Sequence, residues 1–389
     1  MDKTSFMYVG RLVPEKGIHY LLELIHRISA DEHLAWSITI HIFGDGVLRN
    51  EVEIAADTYS FVHYHGHHPK EVVMETRKNC QYTLMLSLLL ETFGLVALDS
   101  LSVWVPVIGF KKWGVQPFID DDLDVLQAAG DTVSEKIRNT VLYALTQIDI
   151  TQRGKKSEKG ILVYQHYTIE KWIARFNSLV PVGTKKILLC SDYAVDVGGI
   201  ENFLLSVVPV LQQAWYEVRF LGLPKKLGYR QKYLHLLVTL CNWKFAWRVK
   251  RVVDEFHPDV IRRHSVHRRI GWYPVRKMRK STAQQWIMYH DFGMFHPFPS
   301  LVETTSQVEK AVTFGWYVAE AWKNRIRLFP ILVAKRCSIA LIKYVLRQVV
   351  DLHIVPSAYM ESLVKKHYHP HTISVTTFSH FIRAGRSQQ

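Results

Sequence analysis

Along the first 150 residues, short apolar runs alternate with stretches in which apolar residues recur every three or four positions. The runs Phe6–Arg11, Trp36–Gly44, Val62–His67, Tyr82–Ser87 and Pro106–Phe110 predict strands. The segments between them, 17–30, 47–57, 69–78, 92–103 and 131–148, predict helices. Alternation at this spacing predicts a parallel sheet with helices on both faces. The polar stretch Arg153–Gly160 predicts a loop. Tyr167–Leu179, with Trp172, Ile173 and Phe176 at helical spacing, predicts a helix punctuated by Pro181 and Gly183. The pattern then repeats, with strands expected at Lys186–Asp192, Tyr216–Leu223, Asp259–Ser265, Gln285–Asp291, Asp351–Ser357 and Ile373–Phe378. The boundary therefore falls near 180–185, giving regions 1–180 and 185–389. Residues 302–349 read as mostly helical, and no apolar run reaches the ~18 residues that a membrane span requires.

Composition adds a compartment and an asymmetry. A hydrophobic fraction of 48% with 22% charged residues is globular, not disordered. Met1-Asp2-Lys3-Thr4 leads straight into a strand-like run, which predicts no secretory signal. Cys80, Cys190, Cys241 and Cys337 are scattered without a CxxC pair, as expected of thiols in a reducing cytoplasm. The net charge of +14 is uneven: residues 1–180 hold 18 Lys+Arg against 22 Asp+Glu, and residues 181–389 hold 31 against 13. Such a split predicts an anionic partner or surface for the second region only. Its basic residues and tryptophans, among them Trp243, Trp247, Trp316 and Trp322, suit an anionic membrane surface. Nucleic acid is the other anionic partner to consider, and charge is all that favours it, so none is expected.

The chemistry-bearing strings lie where strands end. Tyr8-Val9-Gly10-Arg11-Leu12-Val13-Pro14-Glu15-Lys16-Gly17 follows a strand and opens a helix. Glycine lets backbone approach a ligand, a helix start offers N–H groups to an anion, and Arg11 and Lys16 add two cations suited to a diphosphate. Ile42-Phe43-Gly44-Asp45-Gly46 is a second glycine turn, and His65-Gly66 ends the next strand. In Glu91-Thr92-Phe93-Gly94-Leu95-Val96-Ala97-Leu98-Asp99, two acids are placed to accept bonds from vicinal hydroxyls around a predicted helix start near Thr92. The second region carries Val197-Gly198-Gly199-Ile200-Glu201 after a strand, Pro258-Asp259-Val260-Ile261-Arg262-Arg263-His264, and Tyr289-His290-Asp291 at a strand end. Two other clusters lead elsewhere. His63, His65, His67 and His68 have no carboxylate or Cys partner to complete a metal site. Asp120-Asp121-Asp122-Leu123-Asp124 reads as a solvated acidic turn.

Taken together, these strings resemble the retaining glycosyltransferases of family 4, over nearly the whole chain. The resemblance implies two Rossmann-like α/β domains of GT-B type in permuted order. The nucleotide-sugar donor domain, 1–180, stands before the acceptor domain, 185–389, as in a circular permutant or the junction of two tandem enzymes. It implies transfer of a sugar from a nucleotide-diphosphate sugar to a glycan or lipid-linked acceptor, with retention and without a protein nucleophile, metal or further cofactor. Arg11 and Lys16 would then meet the diphosphate, Glu91 the sugar, Asp99 the ribose, and His290 a sugar hydroxyl. Gly10, Gly44, Gly66, Phe93, Gly94, Leu95, Gly198 and Gly199 would line the donor. Asp99 stands where the family usually has Glu, Leu86 where it often has Pro, Trp113-Gly114 where it usually has Gly-Gly, and Arg262 where it has His. The localisation implied is cytoplasmic, peripheral at the inner membrane face. The alternatives are a sugar-nucleotide epimerase of the same fold, or an incomplete transferase acting as an assembly partner.

Overall fold

A computed structural model describes residues 3–87, 91–147, 158–193, 199–223, 242–264, 266, 270–278, 281–295, 315, 329–368, 373–378 and 380–382. The chain divides into two compact units, Met1–Lys171 with Phe381–Gln389, and Trp172–His380. Each is built on a wholly parallel sheet.

In the first unit the strands are β1 (Thr4–Val9), β2 (Ile38–Phe43), β3 (Val62–Gly66), β4 (Tyr82–Met85) and β5 (Val107–Gly109), in the order β3-β2-β1-β4-β5. Side chains of β1 alternate between two cores, as period-two geometry requires. Phe6 and Tyr8 pack with Ile18, Leu21 and Ile25 of helix Ile18–Ser29 and with Ile137, Val141 and Ala144 of helix Val133–Thr146. Met7 packs on the other face with Phe43, Val73 and Cys80. Helix Val133–Thr146 begins where a Thr132–Glu135 capping box satisfies its first amides. A third cluster joins Phe93, Leu98, Val107, Phe118 and Val163 to Ile382, whose N–H donates to the Tyr167 carbonyl at 2.8 Å.

Three local expectations are corrected. Residues 158–160, read as loop, open the helix Glu158–His166, in which Gly160 lies against the Trp104 ring. Residues 153–157 of that stretch lie outside the described residues. Trp36, read as strand, ends a short helix, Glu32–Ser37, capped by Asp31, which accepts from the Leu34 N–H at 3.1 Å. Asp124 is not a solvated acid. It is buried, and one carboxylate oxygen accepts the N–H groups of Lys111 and Leu126 at 2.9 and 3.0 Å. Backbone N–H groups withdrawn from water require such a partner.

The second unit has β6 (Lys186–Tyr193), β7 (Glu217–Leu223), β8 (Val260–His264), β9 (Gln284–Met288), β10 (Leu352–Val355) and β11 (Val375–Thr377), ordered β11-β10-β9-β8-β6-β7. Every residue of β8 is buried, including Arg262, Arg263 and His264. Within helix Ile169–Leu179, Trp172 and Phe176 stack on each other at 5.4 Å, and Trp172 stacks on Phe378 at 5.0 Å. These three rings surround the Arg262 guanidinium at 5.4 to 5.9 Å.

Candidate functional site

In the first sheet the strand order reverses between β1 and β4. In open α/β sheets, the crevice beyond the carboxyl ends of strands at such a reversal is where ligands bind. The chain leaving β1 makes a 3-10 turn, Pro14–Lys16, and Gly17 at φ 76° starts helix Ile18–Ser29. A Cβ at Gly17 would sit 2.0 Å from the Leu86 carbonyl oxygen, so only glycine lets this turn lie against the end of β4. No side chain caps the helix here, which leaves its first amides to a ligand or to water. The neighbouring turns join the same rim: the Gly10 N–H donates to Phe43 O at 3.1 Å and the Gly44 N–H to Gly66 O at 2.8 Å.

Lys16 Nζ donates to Glu91 Oε1, joining the loops after β1 and β4 across the reversal. Each side chain is about a quarter exposed or less, at 24% and 21%, so the pair is open enough to change partners. Tyr8 closes the turn from beneath. Its buried hydroxyl donates to Lys16 O at 3.1 Å, and burial, then the Glu91 charge, push its pKa upward. Tyr8 opens the string quoted from the sequence, but nothing there disclosed this bond. Arg11 is exposed beside it.

The helix expected from Thr92 begins later, at Leu95. Gly94 stands at φ 91°, outside helical space, and a Cβ there would meet Val115 at 2.3 Å. Phe93 is buried, edge-on to Phe118 and Tyr167, so its ring anchors the loop in the core. Leu95 is partly buried against the same cluster. Asp99 accepts from Lys70 Nζ at 2.6 Å, a pairing the sequence did not disclose, and Lys70 is half exposed. The buried Arg77 lies within electrostatic reach of Asp99, and burial lowers its pKa. His41 on β2 packs beside His63 and His65 of the edge strand β3 and bonds His65 at 3.0 Å. Burial, then His65 and His63, lower the His41 pKa to about 4. Among the described residues no His, Cys, Asp or Glu group is arranged to hold a metal.

In the second unit Gly199 starts helix Gly199–Gln213, while Gly198 lies outside the described residues. His290, just beyond β9, is buried. Its Nε2 lies 2.6 Å from His264 Nδ1 at the end of β8, and His380 stacks on it at 5.5 Å. Phe203, from helix Gly199–Gln213, sits edge-on to both His290 and His380. Burial, then Arg262, hold the His264 pKa well below 6.5, and burial, then His290, do the same for His380. A cleft of about 730 Å³ lined by Pro181, Thr184, His257, Asp259, Ser281 and Gln284 lies at the other, amino-terminal end of this sheet and includes none of the expected site residues.

Residues 1–140 match the family model described as Glycosyl transferases group 1. The chain is similar to an uncharacterized glycosyltransferase of Methanocaldococcus jannaschii, 23% identical over 163 residues, covering 41% of this chain and 44% of that protein. It is also similar to the lipopolysaccharide 1,2-N-acetylglucosaminetransferase of Salmonella typhimurium, 23% identical over 185 residues, covering 45% and 47%. The chain thus spans less than half the length of these curated relatives. A solved C-terminal domain of a glycosyl transferase group 1 family protein from Francisella tularensis is 18% identical, with 42% of this chain and 86% of that one covered at a TM-score of 0.34. Each of these likenesses to glycosyltransferases covers less than half of this chain.

Proposed function

We propose that the protein transfers a sugar from a nucleotide-diphosphate sugar to a glycan or lipid-linked acceptor, with retention at the anomeric carbon. The donor-type unit would precede the acceptor-type unit. The observation that carries this reading is the Lys16–Glu91 pair at the strand-order reversal of the first sheet, inside the region matched by the family model. A diphosphate entering there would draw Lys16 away from Glu91, with Arg11 beside it, and the freed carboxylate would orient the sugar. Arg11, Lys16 and the helix amides would meet charge developing on the leaving diphosphate, where preorganised donors contribute most. Asp99 would hold the ribose, with Lys70 fixing its position, and His290 would meet a sugar hydroxyl.

The test is a transfer assay with UDP-, GDP- and ADP-sugars. Glu91→Ala should abolish turnover, a loss of about 100-fold or more for a group bonding the reacting sugar, while the melting temperature stays near wild type. Wild-type turnover in a folded Glu91→Ala protein removes Glu91 from the site. Product anomeric configuration by NMR decides retention, and free epimerised nucleotide sugar would instead favour an epimerase.

The acceptor side of the reading includes an anionic bilayer. Helix Trp243–Phe256 exposes Trp243 at 64% and Trp247 at 65%, one turn apart. Lys244 lies over the Trp243 ring and Arg251 over the Trp247 ring, at 5.7 and 5.8 Å. Aromatic rings flanked by cations on one helical face are the chemistry of interfacial adsorption. Among the described residues no helix is long and apolar enough to cross a membrane. A second reading, a partner that completes a transferase with another chain, is favoured by the partial span of the curated relatives. Donor binding by a monomer of the isolated chain, measured with its mass, speaks against it.

A further inference from the structure

We propose that His264 is a positioning residue that holds His290 as the neutral tautomer carrying its proton on Nδ1, so that His290 meets a substrate oxygen as a hydrogen-bond donor and not as a base. Its part in transfer rests on the function proposed above; the tautomer does not.

The contact between His264 Nδ1 and His290 Nε2, at 2.6 Å, has room for one proton, which belongs to one ring or the other. The far nitrogen of His264 decides which. His264 is fully buried, and its Nε2 has no hydrogen-bond partner. A proton on that nitrogen would leave a buried N–H orphaned, whereas a proton on Nδ1 leaves only a bare lone pair there. Orphaned buried donors are the rarer and costlier case. His264 therefore donates through Nδ1, His290 accepts through Nε2, and the single proton of neutral His290 sits on Nδ1. Which nitrogen of a histidine is protonated is commonly set this way, by the bond its other nitrogen makes. The surroundings keep both rings in register. The His264 and His290 rings are 26° from coplanar with centroids 4.9 Å apart, the ring of His380 lies at 17° to His290, and Phe203 is edge-on to His290 and His380. Arg262, the residue two before His264 on β8, adds a positive charge that disfavours a second proton on His264.

The experiment is long-range proton–nitrogen NMR of the full chain labelled with 15N-histidine, the His290 signals being identified by their loss in His290→Asn. The expected spectrum has a protonated-type Nδ1 and an unprotonated-type Nε2 for His290. His264→Leu should convert His290 to the Nε2-protonated form or a mixture. His264→Asn, whose amide nitrogen can donate from a similar place, should restore the wild-type signature. With an active donor and acceptor pair, His264→Leu should lower kcat by about 10- to 100-fold, on the scale of a mis-set hydrogen-bonding group, with donor KM little changed and His264→Asn recovering most of the turnover. An Nε2-protonated His290 in the wild type overturns the proposal, and so does a His290 signature unchanged in His264→Leu. If the leucine variant does not fold, the wild-type and His264→Asn spectra still decide. A wild-type chain silent with every donor overturns the proposed function, while the spectrum continues to judge the tautomer.

Discussion

The two units treat charge in opposite ways. At the rim of the first sheet, Lys16 faces Glu91 from the loops after β1 and β4, and Lys70 at the start of one helix faces Asp99 in another, each pair partly exposed. In the second unit the central strand carries Arg262 and Arg263 at 0% exposure without an acid in hydrogen-bond contact among the described residues. Arg262 is held by three aromatic rings and by Met288 Sδ at 2.8 Å, and Arg263 by the Gln285 amide oxygen. Burial lowers their pKa values to about 9 and about 10. A solvent-accessible ion pair can trade its partner for a ligand. A cation sealed among rings cannot, and it costs folding free energy. At the carboxyl ends of its strands the first unit thus offers exchangeable ion pairs, while the second offers imidazoles, His290, His264 and His380, and carries its exposed pairs on helix surfaces such as Lys250–Asp254.

The largest test of that contrast is a core substitution. Arg262→Met replaces a buried, unpaired cation with an apolar side chain of comparable reach. Replacing a buried ion pair or triad by apolar side chains is often neutral or stabilising by about 1–4 kcal/mol. A buried guanidinium with no acid bonded to it should likewise show a gain on that order in chemical denaturation. A loss of similar size would mean that the aromatic cage repays the desolvation of the guanidinium, and the contrast would need redrawing.

Acid should separate the units next. His264, His380, His353 and His367 in the second unit are kept neutral chiefly by burial, His353 down to about 4 and His367 to about 2. In the first unit burial lowers His41 and His65, whose rings are less deeply enclosed. A folded-state pKa below the unfolded value means that the unfolded chain binds the proton first. The contribution is therefore complete above about pH 6.5 and is lost as pH falls toward 4. Peptide-level hydrogen exchange at pH 7 and pH 5 should show the second unit losing protection first. Equal loss, or earlier loss in the first unit, would contradict this.

The smallest effect concerns the exposed helix Trp243–Phe256. Each basic residue near an anionic bilayer contributes about 1 kcal/mol, screened by salt, and Lys250–Asp254 and Arg251–Glu255 pairs offset part of the charge. Flotation should recover the protein with anionic vesicles at low salt, and Trp243→Ala with Trp247→Ala should reduce recovery. No recovery with either neutral or anionic vesicles assigns the basic face to something else.

Most of the scaffold was legible because parallel strands covered on both faces write continuous apolar runs. All eleven expected strands are present, with ends moved by a few residues. Glycine turns at Gly10, Gly44 and Gly94 were legible as punctuation. The later helix start at Leu95 was not, because neither the positive φ of Gly94 nor its close approach to Val115, twenty-one positions on, is written in the local string. Nor were the pairings Lys16–Glu91 and Lys70–Asp99 legible, since they join segments distant in sequence. Arg262-Arg263-His264 was legible as part of a strand but hid its burial for a different reason: its polar letters do not mark the core, and the surrounding rings and sulfur that receive Arg262 come from distant segments.

The claim that the first unit's charges await a diphosphate is tested most directly by calorimetric titration of UDP, GDP and ADP, each against its nucleoside. The wild type should prefer one diphosphate over its nucleoside. Arg11→Ala and Lys16→Ala should each weaken that diphosphate by about 10-fold or more, the scale of one lost charge-assisted bond, and leave the nucleoside nearly unchanged. Equal losses for diphosphate and nucleoside would contradict the account and leave the two cations with a structural role.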